Sequence, residues 1–223
     1  MAVRRKRGPS ASRPRSSARL EPDVAPRLLF LVRHATCGDT GFMGATDLPL
    51  TPEGCRQAAR LTGLLAATGA ARCFCSPMQR CRQTAAVALA ETRLQPEVDR
   101  DLREINFGRW EGMRFDDIAR VDPAGVRRFA RFEADFAFPG GESVAGFMRR
   151  VRRAVGRMTA CAEQPVLAFT HGGVITAAIC HLLGLRPRQY VLFGIRHASL
   201  TALQVFGDRG VLVGLNQSGE VRT

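Results

Sequence analysis

Arg33 and His34 follow an apolar run at residues 28–32, with no turn residue between that run and the pair. They therefore end a predicted strand, at the place where an α/β sheet meets its ligands. Arg80 follows a second short strand pattern at residues 72–76. A guanidinium group binds two phosphate oxygens at once, and a neutral imidazole is a nucleophile at physiological pH. An Arg-His pair is also typical of an ordinary strand end, so a prediction of phosphoryl chemistry needs further residues.

His171 supplies a second histidine, directly after the apolar run at residues 165–170. Gly172 and Gly173 follow it and open a predicted helix. Glycines at a helix start let backbone amides approach an anion, which predicts a substrate contact at Gly172. Two histidines and two arginines at strand ends suit the three charged equatorial oxygens of a transferring phosphoryl group.

A histidine nucleophile also requires a proton donor for the leaving oxygen. The stretch LREINFGRWEG at residues 102–112 contains two carboxylic acids, Glu104 and Glu111. Glu104 is the leading candidate for this donor, and Glu111 is the competing one.

Short apolar runs alternate with amphipathic helical patterns, which predicts an α/β sandwich with a mainly parallel sheet. The predicted strands are residues 28–32, 72–76, 165–170, 198–206 and 211–215, and the predicted helices are residues 52–67, 77–92 and 171–184, with two short helices in 114–135 and a long helix after Gly141. Sites in such sheets lie beyond the carboxyl ends of the strands. The polar strand ends are therefore expected to converge at one edge of the sheet.

The length of 223 residues and the hydrophobic content of 45% favour one well-filled domain. The formal net charge is +13, and nearly half of it falls in residues 1–27, which carry eight basic and two acidic residues. Residues 1–26 are predicted to be a disordered basic tail, because they offer too little apolar surface to offset the entropy of ordering. Residues 27–223 then form the domain. We interpret the tail as a dispensable start rather than a nucleic-acid-binding arm, so nucleic acid is not an expected partner.

The cysteine usage predicts a reducing, cytoplasmic location. The seven cysteines are odd in number and scattered without a CxxC pair, which is not typical of a disulfide framework. Only Cys73 and Cys75 lie close together, whereas a zinc site uses clustered ligands. No stretch approaches the ~20 apolar residues of a membrane helix, and no apolar run follows the N-terminal positive charges. We therefore expect neither a metal nor a membrane partner.

Six motifs occur together in a characteristic order: LVRHA, GATDLPLTPEGCRQAARL, SPMQRCRQTA, LREINFGRWEG, FPGGES and FTHGGVI. Their order and spacing are far more specific than any one of them. On these motifs the chain resembles the histidine phosphatase superfamily, also called phosphoglycerate-mutase-like, over about residues 28–216.

The resemblance implies a three-layer sandwich, in which a mainly parallel central sheet is flanked by helices, and a phosphohistidine mechanism. His34 takes the position of the nucleophile, while Arg33, Arg80 and a charged His171 take the positions that hold the phosphoryl oxygens. Glu104 takes the position of the acid that protonates the leaving oxygen and then activates water. No cofactor and no metal are implied, because the arginines and the charged histidine neutralise the phosphate.

The expected function is hydrolysis of a small phosphorylated metabolite. The stretch INFGRWEGMRFDDI resembles the small phosphatase branch of the superfamily, and TDLPLTPEG resembles α-ribazole phosphatases. A phosphoglycerate-type phosphomutase is the alternative, since both reactions use the same core residues and differ in whether water reaches the phosphohistidine. A non-catalytic phospho-ligand or nucleic-acid binder is disfavoured by the intact catalytic set. A homodimer is compatible with the sequence.

The loop after the nucleophile departs from the family pattern. Ala35 replaces a usual glycine, which is tolerable if its φ is negative. Cys37 and Thr40 stand where threonine and asparagine are common. Thr36 is therefore kept only as a weak candidate for binding the phosphate. Whether Cys37 or His197 contacts the substrate is left open.

Overall fold

The computed structural model describes residues 25–133 and 135–219. The strands of this part of the chain form one sheet with the order β3-β2-β4-β1-β5-β6. They are β1 (Arg27–Arg33), β2 (Arg72–Cys75), β3 (Glu97–Val98), β4 (Val166–Thr170), β5 (Ser199–Phe206) and β6 (Arg209–Gln217). Strands β3, β2, β4 and β1 are parallel, whereas β5 runs antiparallel to β1 and β6 antiparallel to β5. The expectation of a mainly parallel sheet is confirmed.

The helices are α1 (Pro52–Ala59), α2 (Thr62–Ala66), α3 (Gln79–Ala88), α4 (Phe115–Val121), α5 (Pro123–Ala130), α6 (Val144–Ala160) and α7 (Gly172–Leu182), with 3₁₀ helices at Arg100–Leu102, Gly108–Trp110 and Pro187–Leu192. Side-chain caps begin several of them. The Thr51 hydroxyl accepts from the Gly54 amide ahead of Pro52, and the Ser143 hydroxyl accepts from the Gly146 amide. These caps satisfy amides that have no partner within the helix.

Two hydrophobic clusters lie on opposite faces of the sheet, because successive strand side chains alternate in direction. Leu29 and Leu31 of β1 belong to the cluster that α6 and α7 cover. Val32 of the same strand belongs to the cluster that α1 and α3 cover. The structure thus has three layers, as the resemblance implied.

Several predicted element boundaries were wrong, and those of one helix and of the last strand have a clear physical reason. The predicted helix at residues 52–67 is interrupted at Arg60 and Leu61, where the Leu61 amide donates to the Ala58 carbonyl at 3.1 Å. Such an i→i−3 hydrogen bond tightens the turn and ends the α-helix. The last strand is longer than the predicted 211–215, because a two-residue turn with Gly207 at φ 60° lets strand pairing start at Arg209.

The strand register brings three chain segments to one edge of the sheet. Arg33 at the end of β1 pairs with Thr170 at the end of β4. Cys75 at the end of β2 pairs with Phe169 of β4. Because these strands are parallel, the residues that follow them lie side by side, as expected of sites in such sheets.

The predicted tail at residues 1–26 lies outside the described residues except for its last two positions. The division of the chain into a tail and a domain at residues 27–223 therefore stays a prediction. Among residues 25–133 and 135–219, no helix is both long and apolar enough to span a bilayer.

Candidate active site

His34 is a buried histidine at the end of β1, with only 3% of its surface exposed. Its amide donates to the Thr170 carbonyl at 3.0 Å, which continues the strand ladder by one residue. Its Nδ1 lies 2.8 Å from the Ala35 carbonyl oxygen. A carbonyl only accepts, so Nδ1 carries the proton and the lone pair is on Nε2.

The charge state of His34 follows from its surroundings. Burial, and then the charges of Arg33 and Arg80, hold the pKa of this imidazole well below its usual value of 6.5. His34 is therefore neutral at physiological pH, with Nε2 free of a proton. These are the requirements for a histidine nucleophile.

The loop after His34 accommodates its unusual residues without strain. Ala35 does not have a positive φ, so it can replace the usual glycine without backbone strain. The Thr36 hydroxyl accepts from the Gly38 amide at 3.1 Å, and the Thr36 amide donates to Gln57. The structure thus gives Thr36 a role within the loop. Burial raises the pKa of the Cys37 thiol, which keeps it protonated.

Arg80 is fully buried on α3 and its guanidinium is held from three sides. It donates to the carbonyl oxygens of Gly44 at 2.8 Å and Thr46 at 2.7 Å. Its Nε donates to Nδ1 of His171 at 3.3 Å. A guanidinium fixed in this way needs no reorganisation when negative charge develops beside it.

Arg33 brings a second guanidinium to the same place. It donates to the Ile195 carbonyl and, at 2.8 Å, to Nε2 of His197. Its buried Nε has no hydrogen-bond partner within residues 25–133 and 135–219. A Cβ at Gly172 would lie 3.3 Å from this Nε, so the first glycine after His171 passes close to the Arg33 side chain. The two predicted binding residues Arg33 and Gly172 are thus neighbours.

His171 is fully buried beside the nucleophile, with 5.1 Å between the ring centroids of His34 and His171. Its Nδ1 accepts from Arg80, so Nε2 carries the proton and donates to the Ser76 hydroxyl at 2.8 Å. Burial, together with His34 and Arg80, lowers its pKa well below the usual value. Burial beside two arginines favours the neutral imidazole in these surroundings, and the expectation that His171 is charged when it helps to neutralise a phosphate stays a prediction.

His197 lies on the other side of His34, with ring centroids 5.2 Å apart. Burial and the charges of Arg33 and Arg80 lower its pKa to about 4, so its Nε2 accepts from Arg33. The following residue, Ala198, has a φ of 46°, and its amide donates to the His34 carbonyl. The sequence left open whether His197 contacts the substrate, and the structure places its ring beside that of His34. The antiparallel pairing of β5 with β1 brings it there, since Arg33 pairs with Ser199.

Glu104 reaches the site from the segment after the 3₁₀ helix at Arg100–Leu102. Its Oε2 accepts from the Gly173 amide at 2.9 Å, and its Oε1 accepts from the Ile105 amide at 3.0 Å. A Cβ on Gly173 would lie 2.3 Å from Oε1, which explains the second glycine after His171. Burial raises the pKa of the Glu104 carboxyl, although both amides and Arg33 lower it. A raised carboxyl pKa suits a general acid.

Glu111 has a different task. Its carboxylate accepts from the amides of Gly44, Ala45, Thr46 and Phe107 and from the Thr46 hydroxyl, at 2.7–3.2 Å. Burial alone would raise its pKa, but these donors outweigh burial and lower it. Glu111 thus fixes the loop whose carbonyls hold Arg80. Of the two acids, Glu104 has the environment of a proton donor.

A cavity of about 280 Å³ opens beside Glu104. Its lining residues are Gly44, Ala45, Met78, Arg103, Glu104, Asn106, Gly141 and Glu142. A larger cavity of about 850 Å³ lies between α3 and the β3 edge and contains none of the candidate site residues. The smaller cavity is lined by Glu104, and a further cavity of about 110 Å³ is lined by His197. In the described part of the chain, no three His, Cys, Asp or Glu side chains are grouped so that they could hold a metal ion.

The removal of one charge-stabilising donor provides a first prediction. We expect Arg80→Ala and His171→Ala each to lower kcat by about 10² to 10³, because Arg80 is a preorganised donor and His171 accepts from Arg80 and so holds it in place. Arg82→Ala is the matched control, because Arg82 is an exposed residue of the same helix. Steady-state kinetics with a simple phosphomonoester measures all three variants. If Arg80→Ala were as active as Arg82→Ala, Arg80 would have no role in the reaction.

A neutral buried histidine with a free Nε2, two guanidinium groups and a carboxyl of raised pKa define a site for phosphoryl transfer through histidine. Comparisons with known proteins agree. The model of the histidine phosphatase superfamily (branch 1) matches residues 29–218.

Phosphoserine phosphatase 1 of Hydrogenobacter thermophilus is 29% identical over 199 residues, which cover 84% of this chain and 91% of that protein. The adenosylcobalamin/α-ribazole phosphatase of Escherichia coli is 27% identical over 182 residues, which cover 79% of this chain and 89% of that protein. The solved structure of a mycobacterial glucosyl-3-phosphoglycerate phosphatase has a TM-score of 0.77 at 29% identity and is similar over 86% of this chain and 99% of that one.

The chain belongs to the histidine phosphatase superfamily. The expected fold, a phosphoglycerate-mutase-like three-layer sandwich, is confirmed. The expected enzyme class, a phosphatase acting on a small phosphorylated compound, is confirmed at that level of detail.

Proposed function

We propose that this protein hydrolyses phosphomonoesters of small metabolites through a phosphohistidine formed on His34. The observation that carries the proposal is the hydrogen bond from His34 Nδ1 to the Ala35 carbonyl, made in a buried site beside Arg33 and Arg80. This bond leaves the Nε2 lone pair available, and the arginines attract a phosphate dianion to it.

In the first step, His34 Nε2 attacks phosphorus in line with the leaving oxygen. A phosphorus–nitrogen bond forms, the phosphorus–oxygen bond breaks, and the Glu104 carboxyl gives its proton to the departing oxygen. In the second step, the Glu104 carboxylate takes a proton from water, whose oxygen attacks phosphorus. The phosphorus–nitrogen bond then breaks, which regenerates His34 and releases phosphate.

Donors around His34 fit the three oxygens of the transferring group. The unpartnered Nε of Arg33 offers an N–H that no other residue in the described ranges accepts. Arg80 is rigidly held by the 44–46 loop, and the amides of α7 begin at Gly172. A neutral His171 can donate only by exchanging its bond with Ser76, and the arginines then supply the positive charge in this mechanism.

The leaving group belongs in the cavity beside Glu104, whose volume of about 280 Å³ suits a small molecule. Arg103, Asn106 and Glu142 make part of its wall polar, which fits a hydroxylated metabolite. The names of the relatives, a phosphoserine phosphatase and an α-ribazole phosphatase, describe different leaving groups. They support a shared phosphatase chemistry and leave the identity of the metabolite to experiment.

A cytoplasmic location stays a prediction, supported by seven cysteines that are all free. We expect no cofactor, no membrane or nucleic-acid partner, and a homodimer stays compatible with the sequence. Fractionation of cells and light scattering of the purified full chain test the location and the oligomeric state.

The deciding experiment is a screen of phosphorylated metabolites with the purified protein, in parallel with and without a chelator. We expect release of inorganic phosphate from at least one small phosphomonoester, unchanged by the chelator, because arginines neutralise the phosphate here. Product analysis separates hydrolysis from phosphoryl transfer to a second hydroxyl, which a phosphomutase would show. Activity that disappears with the chelator and returns with a divalent metal would overturn the metal-independent mechanism.

A further inference from the structure

Arg150 is a buried arginine of α6, with 7% of its surface exposed. Its guanidinium uses every N–H. Nε donates to Glu142 Oε1 at 2.8 Å, and NH2 donates to Glu142 Oε2 at 2.7 Å and to the Glu104 carbonyl at 2.9 Å. NH1 donates to the carbonyls of Asp101 and Arg103. Five donors therefore meet five acceptors.

The acceptors of Arg150 are concentrated on the segment that presents the candidate acid. Its carbonyls at positions 101, 103 and 104 bind Arg150, and the Leu102 carbonyl accepts from the Thr170 hydroxyl at 2.8 Å. This segment begins within the 3₁₀ helix at Arg100–Leu102 and is not part of the sheet. Side-chain donors must therefore replace a strand ladder in fixing its backbone.

Glu142 completes the arrangement from the FPGGES motif, which also contributes to the wall of the cavity beside Glu104. Its carboxylate neutralises Arg150, and its amide donates to the Asn106 carbonyl at 2.9 Å. Gly141 allows this close approach, since a Cβ there would lie 2.4 Å from the Asn106 carbonyl oxygen. Glu142 thus connects the two ends of the stretch around Glu104.

We propose that Arg150, with Glu142, is a positioning residue that holds the Glu104 carboxyl in line for proton transfer. The inference rests on the proposed function, in which Glu104 is the acid. Arg150 fixes the backbone carbonyl of Glu104, while the amides of Ile105 and Gly173 fix its carboxylate. A shift of the backbone would draw the carboxyl away from the leaving oxygen, and a misplacement of about 1 Å can cost roughly 10²-fold in rate.

The test compares two substrates that differ in their need for an acid, an alkyl phosphate and p-nitrophenyl phosphate. We expect Arg150→Met to lower kcat for the alkyl phosphate roughly 10- to 100-fold more than for p-nitrophenyl phosphate, with similar KM values. The selective loss in Arg150→Lys should lie between that of Arg150→Met and none, because an ammonium group keeps the charge but cannot reproduce the planar fork of the guanidinium. Adding Arg150→Met to Glu104→Gln should cause no further change in the ratio of the two rates, since both act through one group.

Arg153→Met is the matched control on the same helix. Arg153 is exposed and binds only the Asp101 carboxylate within the 101–104 segment, so its loss should leave the ratio of the two rates unchanged. Melting temperatures are measured for all variants. If Arg150→Met does not fold, Arg150→Lys and Glu142→Gln decide the question, because both retain most of the packing.

Equal losses for both substrates in these variants, while Glu104→Gln remains selective for the alkyl phosphate, would overturn the positioning role and leave the proposed function intact. No selectivity in Glu104→Gln would overturn the acid assignment and the positioning role together. If the unmodified protein has no phosphatase activity, the proposed function itself is overturned.

Discussion

His34→Ala is expected to lower kcat by at least about 10⁴-fold, because loss of a nucleophile removes the covalent route altogether. Neither of the two neighbouring histidines can replace it. The Nδ1 of His171 accepts from Arg80 and the Nε2 of His197 accepts from Arg33, so these lone pairs are engaged. Brief incubation of the unmodified enzyme with labelled substrate should also trap an acid-labile, base-stable phosphoprotein.

His197→Ala is the control for this experiment. His197 is as close to His34 as His171 is, so its loss disturbs the site to a similar extent without removing Nε2 of His34. We expect the label to persist in this variant and to be absent from His34→Ala. Label found on Ser76 or Cys81, the other nucleophilic side chains next to His171, would refute the phosphohistidine.

The pH dependence of kcat/KM provides a second measurement on His34. Protonation of Nε2 would abolish attack, and the pKa of this imidazole is held well below 6.5. Activity should therefore fall only as the pH drops well below 6.5. The substrate phosphate, with a second pKa of about 6, adds a limb of its own, so only an acidic limb at or above pH 6.5 that does not move between substrates of different phosphate pKa would show that His34 is not desolvated as the structure indicates.

The strand ends were the part of the site that local pattern could predict. His34 and His171 each follow an apolar run, and a parallel sheet must bring such ends together. His197 could not be placed in this way, because its approach depends on β5 running antiparallel beside β1. That strand order is a tertiary property with no local signature. Arg80 was predicted from its place after the second strand and Glu104 as one of two acids in its motif, and the family resemblance then implied their roles.

The charge states and the buried hydrogen-bond donors could not be predicted from the sequence, because they depend on contacts between distant segments of the chain. The pKa of His171 depends on burial and on two arginines from distant segments. Arg150 lies among the apolar residues of the α6 stripe, between Phe147 and Val151, where a pattern indicates core packing. Three of its five acceptors are carbonyls 46 to 49 positions earlier in the chain. Only the folded structure shows that every N–H of the Arg150 guanidinium has a hydrogen-bond acceptor.

Glu104→Gln should slow the release of poor leaving groups far more than that of good ones. An alkoxide needs a proton as it departs, whereas p-nitrophenolate is stable without one. We expect a loss of about 10²- to 10⁴-fold for alkyl phosphates, the range of general acid catalysis. The Glu104 pKa is raised by burial, so the alkaline limb of kcat/KM for an alkyl phosphate marks its ionisation. That limb should be lost in the variant.

Glu111→Gln is the same substitution in the same motif and serves as the matched control. The Glu111 carboxylate accepts from the amides of the 44–46 loop, and an amide side chain keeps only one of its two acceptor oxygens. The loop would loosen and Arg80 with it, so we expect similar losses for alkyl and p-nitrophenyl phosphates. Measured Brønsted slopes against leaving-group pKa separate the two variants. A steeper slope in Glu111→Gln and an unchanged one in Glu104→Gln would move the acid to Glu111, because only loss of the proton donor makes the rate depend more strongly on the leaving group.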